Sequence, residues 1–417
     1  MTKKLAIIGG GVAGLTAGYL LHDRYDVTLF EKDNRLGGNV YTLDTKNGEE
    51  IDISVFFYSR LQYPNFCKLL SKLGIKSTTR PMEGLSQSFH NLKTNRNYFF
   101  SCDPARLKAT FSFKNFKSMF HQGLVFWYYA RGIKMSKAGK FKGLSLQQAL
   151  QFLPGFKDDI LKLGIFPIVI MTSMFWNELM AAPAEFVFAK IEKQCGTLRK
   201  FVSWRLYPCK TRVYIEKLAA PFKDKIKLNS NIKTISRESN SVTIKMDDGE
   251  EQKFDKIIFA CPADTALAMI ESPTDEEKRL LGVWRYTDGL VIVHTDKSHY
   301  PPEDLWGMYS YLFRDEGGDL SLCINAHYRF QNGVPKNSNY IGIQHPNVAI
   351  DKDKIEFQKV FRTPLYDLNS TPIIKELPSL NGNMNTYFCG SNFGYGLHED
   401  AVTSAINVGK SLGAQWE

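Results

Sequence analysis

The chain has 417 residues, 43% of them hydrophobic and 23% charged, with a formal net charge of +10. That length suits two or three domains that each bury a core, and the composition excludes a disordered or low-complexity chain. The seven cysteines show no C-x-x-C spacing, which argues against a disulfide framework or a metal site and for a reducing, cytoplasmic setting.

The N-terminus runs straight into a strand pattern and lacks the apolar stretch of a signal peptide. "KKLAIIGGGVAGLTAGYLL" reads as a strand, a glycine turn and a helix, with Gly9-x-Gly11-x-x-Gly14 at dinucleotide spacing. The first glycine permits the tight turn and the second lets a pyrophosphate approach the backbone. The third lets helix and strand pack closely, and Val12 and Ala13 begin a helix whose N-terminus favours the pyrophosphate charge. A second strand pattern, "DVTLFEK", ends at Glu31 and Lys32. An acid at that point accepts hydrogen bonds from ribose hydroxyls and repels a 2′-phosphate. "EKDNRLGGNVYT" then adds Gly37 and Gly38 behind Arg35, and "EEIDIS" places Asp52 on a further strand.

In this series of motifs the chain resembles the flavin-containing amine-oxidase superfamily, which includes monoamine oxidases, protoporphyrinogen oxidases and phytoene desaturases. The resemblance implies an α/β protein with a discontinuous Rossmann-like FAD-binding domain and an inserted α+β substrate domain. It implies Glu31, with Lys32 beside it, at the adenosine ribose, and Arg35, Gly37 and Gly38 along the diphosphate and ribityl chain. Asn39 stands where members commonly carry arginine, and Ser54-Val55 where many carry two glycines. A flavin held less by charge is expected, with Val55, Phe56 and Phe57 narrowing the space beside its ring.

Further along, the stretch from Lys93 to Lys142 holds eleven Lys/Arg, one acid (Asp103) and twelve interleaved aromatics. It reads either as an amphipathic helical face over core aromatics or as a basic surface for an anionic membrane or an acyl carrier. No nucleic-acid motif accompanies the charge. "LGIFPIVIMTSMFW" is shorter than a membrane span and contains Pro167, so a buried helix is expected. The stretch from Asp224 to Ile270 alternates at period two, with turns at Asn240 and Asp248-Gly249. By resemblance this meander completes the FAD domain, with the Ile232 backbone facing the adenine. The implied division is 1–64, 200–275 and 380–417 for the FAD domain, and 65–199 and 276–379 for the substrate domain.

The C-terminal "NTYFCGSNFGYGLHEDAVTSAINVG" reads as a strand, a glycine- and aromatic-rich loop and a helix start. By resemblance this element meets the pyrimidine edge of the flavin, through Gly390, Ser391, Asp400, Ala401 and Val402. Ala401 and Val402 are the expected amide donors, because a helix start offers unpaired N–H groups and partial positive charge. Gly394 and Gly396 are expected to leave room beside the ring, and Phe393 and Tyr395 to wall the substrate cavity. His398 is either a neutral base or a loop-fixing hydrogen bond, and Tyr395 either a proton donor or a cavity wall.

No cysteine lies between 360 and 385, where monoamine oxidases tether their cofactor, so the FAD is expected to be non-covalent. No second dinucleotide fingerprint appears, which favours reduction by an organic substrate. Leu290 to Thr295 carries no lysine, unlike the corresponding strand of those oxidases. "YPNFCKLLSKLGI", "HTD" and "GYGLHEDA" further resemble a bacterial subgroup often encoded beside cyclopropane-fatty-acid-synthase-like methyltransferases. Three functions follow: amine oxidation, desaturation or isomerisation of an acyl chain, and a non-catalytic FAD-bound partner of a lipid-modifying enzyme.

Overall fold

Leu5 to Ile8 are all buried, as expected of a strand covered on both faces of a parallel sheet. In the computed structural model, which describes residues 2–55, 57–76, 86–101, 116–153, 159–201, 203–316 and 319–417, this strand (Lys4–Ile8) is the centre of such a sheet. It pairs in parallel with Asp26–Phe30 on one side and Lys256–Phe259 on the other. Thr386–Phe388 and Ile226–Lys227 are the two edges. Residues far apart in sequence therefore end side by side at the carboxyl edge of one sheet, where open α/β folds bind ligands.

The helices used below are α1 (Val12–Leu21), α2 (Pro64–Lys72), α3 (Phe116–Lys137), α4 (Asp159–Thr172), α5 (Ala184–Cys195), α6 (Thr211–Ala219) and α7 (His398–Ser411). Helix α1 packs between α6 and α7 against the parallel sheet. An antiparallel meander of Ile232–Arg237, Val242–Met246 and Glu251–Phe254 stands beside it, with its turns at Asn240 and Asp248-Gly249.

A second sheet has seven strands, ordered 355–365, 285–294, 341–344, 319–327, 309–316, 86–91 and 96–101. Its pairs are antiparallel except that 86–91 runs parallel to 309–316. The stretch 65–199 thus supplies two strands as well as helices. One face of this sheet stacks Tyr311 on Phe89 at 4.8 Å and packs Phe313 on Phe166 of α4 at 5.1 Å. Helix α4 is buried along Ile165, Phe166, Ile168 and Val169, and Pro167 sits inside it. On the opposite face Ile292, Leu312, Cys323 and Ile343 form a smaller cluster. No helix among the described residues is long and apolar enough to cross a membrane.

A cradle of two glycine turns and a helix start

The glycines of the first turn answer to different constraints. A Cβ at Gly9, whose φ is +110°, would lie 2.6 Å from the Ala260 carbonyl oxygen, and one at Gly14 would lie 2.0 Å from the Gly9 carbonyl oxygen. The fold itself demands those two glycines. A Cβ at Gly11 would meet no atom within 4 Å, although its φ of −75° suits any residue. Gly11 is the N-cap of α1, no side chain caps that helix, and Val12 and Ala13 follow as its first residues. The result is an open approach to an uncapped helix N-terminus, a site that favours an anion.

The second turn closes over the first. Gly37 N–H donates to the Gly10 carbonyl at 2.8 Å, and a Cβ at Gly38 would sit 3.2 Å from Gly11 Cα. Arg35 fastens this loop by donating to the carbonyls of Leu36, Val40 and Gly38, with its guanidinium 4.2 Å from the centre of the Tyr41 ring. Its Nε is buried without a partner. Buried Glu31 accepts from Gly10 N–H at 2.6 Å and from Asp33 N–H at 2.9 Å. The acid thus holds the glycine turn, and each carboxylate oxygen keeps a second lone pair for a hydroxyl donor. Ser230 N–H donates to the Glu31 carbonyl at 2.8 Å, which brings the half-buried start of the meander at Ile232 to the same edge. Lys32 is exposed.

Asn39 ties the second glycine turn to the seven-stranded sheet: its Nδ2 donates to the Arg362 carbonyl at 2.8 Å, and its own carbonyl accepts from Ser54 Oγ at 2.5 Å. Asp52 accepts from Thr42 Oγ1 at 2.6 Å, Thr211 Oγ1 at 2.7 Å and Thr211 N–H at 3.2 Å, which fixes the start of α6. Val55 and Phe57 are half-buried, and Phe57 meets Trp204 and Tyr309 edge-on at 5.3 and 6.1 Å. Phe56 lies outside the described residues.

At the C-terminus, Ser404 Oγ grips Gly390 by accepting from its N–H at 3.0 Å and donating to its carbonyl at 3.1 Å. The Ser391 carbonyl accepts from Gly396 N–H and Tyr366 OH. Three expectations need correction. Helix α7 begins at His398 with Leu397 as N-cap, so the amides without intrahelical acceptors are those of His398 and Glu399. Ala401 N–H is bonded to the Leu397 carbonyl at 3.2 Å, and Val402 lies further inside the helix. The room at Gly394 and Gly396 is taken by the protein: a Cβ at Gly394 would lie 2.5 Å from the Asp400 carboxylate and one at Gly396 2.8 Å from Tyr366 Oη. Asp400 turns back on its own loop, accepting from Tyr395 N–H and Leu397 N–H at 2.9 Å each and from Lys193 Nζ at 3.0 Å.

His398 Nε2 lies 2.9 Å from Tyr214 Oη, and its ring packs on Phe66 and Tyr207. Burial pulls its pKa down to about 4, so the imidazole is neutral at physiological pH. Tyr395 stacks on Phe186 at 5.3 Å, with Lys193 Nζ 4.8 Å from its ring centre. Burial, with Asp400 and Glu192 nearby, raises its phenol above the ordinary value.

Sequence reading missed Lys190. This α5 lysine is 1% exposed and donates from Nζ to the Tyr395 carbonyl at 2.6 Å. It lies beside Tyr366, which stacks on Phe186. Burial pulls the ammonium down to about 7, with Asp400 opposing the shift. The available signal was periodicity, since Lys190 falls three and four residues from Val187 and Phe186 on the apolar side of its helix.

Residues 7–73 match the family model of an NAD(P)-binding Rossmann-like domain, and residues 197–305 that of flavin-containing amine oxidoreductases. A segment of 113 residues is 34% identical to an L-amino-acid oxidase of Mus musculus, covering 25% of this chain and 17% of that protein. A segment of 101 residues is 33% identical to a coproporphyrinogen III oxidase of Mycobacterium leprae, covering 22% of each. In each case the matched segment spans less than a third of the curated relative's length. A fatty acid isomerase from P. acnes that produces CLA superposes with a TM-score of 0.68 over 99% of both chains at 15% identity. Cyclohexylamine oxidase from Brevibacterium oxydans superposes at 0.69, over 99% of this chain and 100% of that one, at 12% identity.

Proposed function

From a chain with the fold shared with cyclohexylamine oxidase, a Rossmann-like signature and one signature of flavin-containing amine oxidoreductases, we propose an FAD-dependent oxidoreductase that oxidises a largely apolar organic amine. The observation that carries the cofactor is the open space at Gly11, in front of an uncapped helix and beside a buried carboxylate. Bound non-covalently, FAD supplies a ring that accepts a hydride from carbon. Gly11, Val12, Ala13 and the Gly37–Gly38 turn would hold the pyrophosphate, and Glu31 the ribose hydroxyls. The free amides of His398 and Glu399 would offer donors and partial positive charge to the electron-rich edge of a bound flavin. Lys190 and Asp400 orient the loop that carries Tyr395.

We assign 1–64, 200–275 and 380–417 to the cofactor domain, because every strand of the parallel sheet and of the meander falls there. We assign 65–199 and 276–379 to the substrate domain, because every strand of the seven-stranded sheet falls there. L-amino-acid oxidase, amine oxidase B and cyclohexylamine oxidase among the similar proteins support the amine.

A second reading, desaturation or isomerisation of an acyl chain, is supported by the full-length likeness to a fatty acid isomerase and by the strand Arg285–His294, which carries no lysine. The narrower likeness to the subgroup encoded beside lipid methyltransferases points the same way. A bilayer or an acyl carrier would then deliver the substrate to a peripheral, cytoplasmic enzyme.

The test begins with denaturing the yellow protein: free FAD is expected in the supernatant, and FMN or flavin left on the chain would overturn the cofactor reading. Anaerobic bleaching of the native protein then follows, against a panel of amines and acyl lipids. Bleaching by an amine with formation of the imine, followed by hydrogen peroxide on readmitting air, is the expected result. Bleaching by acyl lipids alone, or a shifted double bond in the recovered lipid without net bleaching, moves the assignment to the second reading. A flavin that no substrate reduces, with every acyl lipid recovered unchanged, leaves a non-catalytic, FAD-bound partner of a lipid-modifying enzyme.

A further inference from the structure

Helix α3 presents a face that the redox chemistry does not use. Gly123, Phe126, Trp127, Ala130, Arg131, Lys134 and Lys137 are all exposed. At 100° per residue they fall on one arc of about 140°. The other side of the helix is buried against the domain. A Cβ at Gly132 would lie 2.1 Å from Phe188 of α5, Val125 fills the space at Gly164 of α4, and Tyr129 OH bonds the Gly164 carbonyl. The face is therefore held outward by packing.

Its composition is specific. Trp127 is 46% exposed and Phe126 37%, although aromatics of this size usually bury most of their surface. The Arg131 guanidinium lies 5.4 Å from the centre of the Trp127 ring. Between 123 and 142 there are five Lys/Arg and no acid. Lys134, Lys140 and Lys142 are exposed, while Lys137 pairs with Glu192 of α5. Phe152, 57% exposed, packs on Phe141 between the last two lysines of this run.

We propose that this face of α3 docks the protein onto an anionic lipid bilayer, with Phe126 and Trp127 seated at the headgroup level and the cations on the lipid charge. Charge complementarity selects this occupant. Aromatic rings in an otherwise cationic helix face suit a membrane interface, where one end of the ring is apolar and the other wet. Basic side chains there gain from a negative surface potential that fades within a Debye length. No described helix is long and apolar enough to span the bilayer. The surface is independent of which bond the flavin oxidises.

The experiment is co-sedimentation of the full-length holoprotein with vesicles of phosphatidylcholine alone or with 30% phosphatidylglycerol, at about 0.05 and 0.5 M NaCl. Binding is expected to the phosphatidylglycerol vesicles only, and to be lost at high salt. The triple variant Lys134→Glu, Lys137→Glu, Lys140→Glu should bind at least about tenfold more weakly. Phe126→Ala with Trp127→Ala should also weaken binding, with flavin content unchanged in both variants. Quenching by brominated lipid should be present in wild type and reduced in Trp127→Phe. Failure of wild type to bind at low salt overturns the proposal, as does binding that both sets of substitutions leave unchanged. A vesicle-free dimer abolished by Trp127→Ala, with no vesicle binding, would assign the face to a second copy of the chain instead.

Discussion

Gly11 and Gly14 stand three residues apart, and a methyl group would have opposite effects at each. At Gly14 it meets a backbone carbonyl and the turn cannot close. At Gly11 it points into open space. Gly11→Val should therefore fold, losing about 1 kcal/mol at most from a poorer N-cap, yet purify without FAD. A folded variant with full flavin content would sink the cradle. Lys190 offers a second test, through pH. Its folded pKa of about 7 lies below the ordinary value of 10.5, so the unfolded chain binds more protons between the two. The burial penalty is fully present below about pH 7 and is relieved as pH rises toward 10. In Lys190→Met that slope disappears. Urea titrations of the two proteins should show the wild type gaining a few kcal/mol on the variant between pH 6 and 9.5. A gap that does not change with pH would mean that the lysine is hydrated in solution.

Among elements, the meander is tied to the helix Asp275–Leu281 by Arg237 and Glu277, whose side chains are 2% and 5% exposed. Arg237 Nη2 donates to Glu277 Oε2 at 2.8 Å, and Glu277 also completes a capping box with Thr274. Burial alone would raise the carboxyl pKa, but hydrogen bonds from Arg237 and Thr274 outweigh it and hold the group below its ordinary value. A depressed carboxylate stabilises above its unfolded pKa and stops doing so as pH falls through the folded one. Glu277→Gln, which leaves a buried guanidinium without its anion, should cost about 3–5 kcal/mol at pH 7 and progressively less below about pH 4. Thermal unfolding across pH 3–7 would reveal either that convergence or its absence. The meander was legible because period-two alternation is local, and this ion pair was not, since forty residues separate its partners.

Across the whole molecule, what could be read in advance was whatever spacing dictates: the glycine turn, the acid ending the second strand, the strand-loop-helix at the C-terminus. What could not be read were the tertiary reasons for individual residues. Gly394 and Gly396 looked like space for a ligand, but the space belongs to Asp400 and Tyr366. Ala401 and Val402 looked like free donors because the helix start could not be fixed to the residue, and it falls at His398. Lys190 meets a backbone carbonyl 205 residues away, which no local pattern announces. The order of strands in the parallel sheet has a further consequence, for biogenesis. Its central strand, Lys4–Ile8, is made some 250 residues before its neighbour Lys256–Phe259 and some 380 before the edge Thr386–Phe388. At a synthesis rate of about 5–20 residues per second, the glycine turn waits roughly 20–80 seconds for the start of α7. A nascent chain can fold its seven-stranded sheet while the cofactor site is still in pieces, so the site is completed only when α7 has emerged from the ribosome.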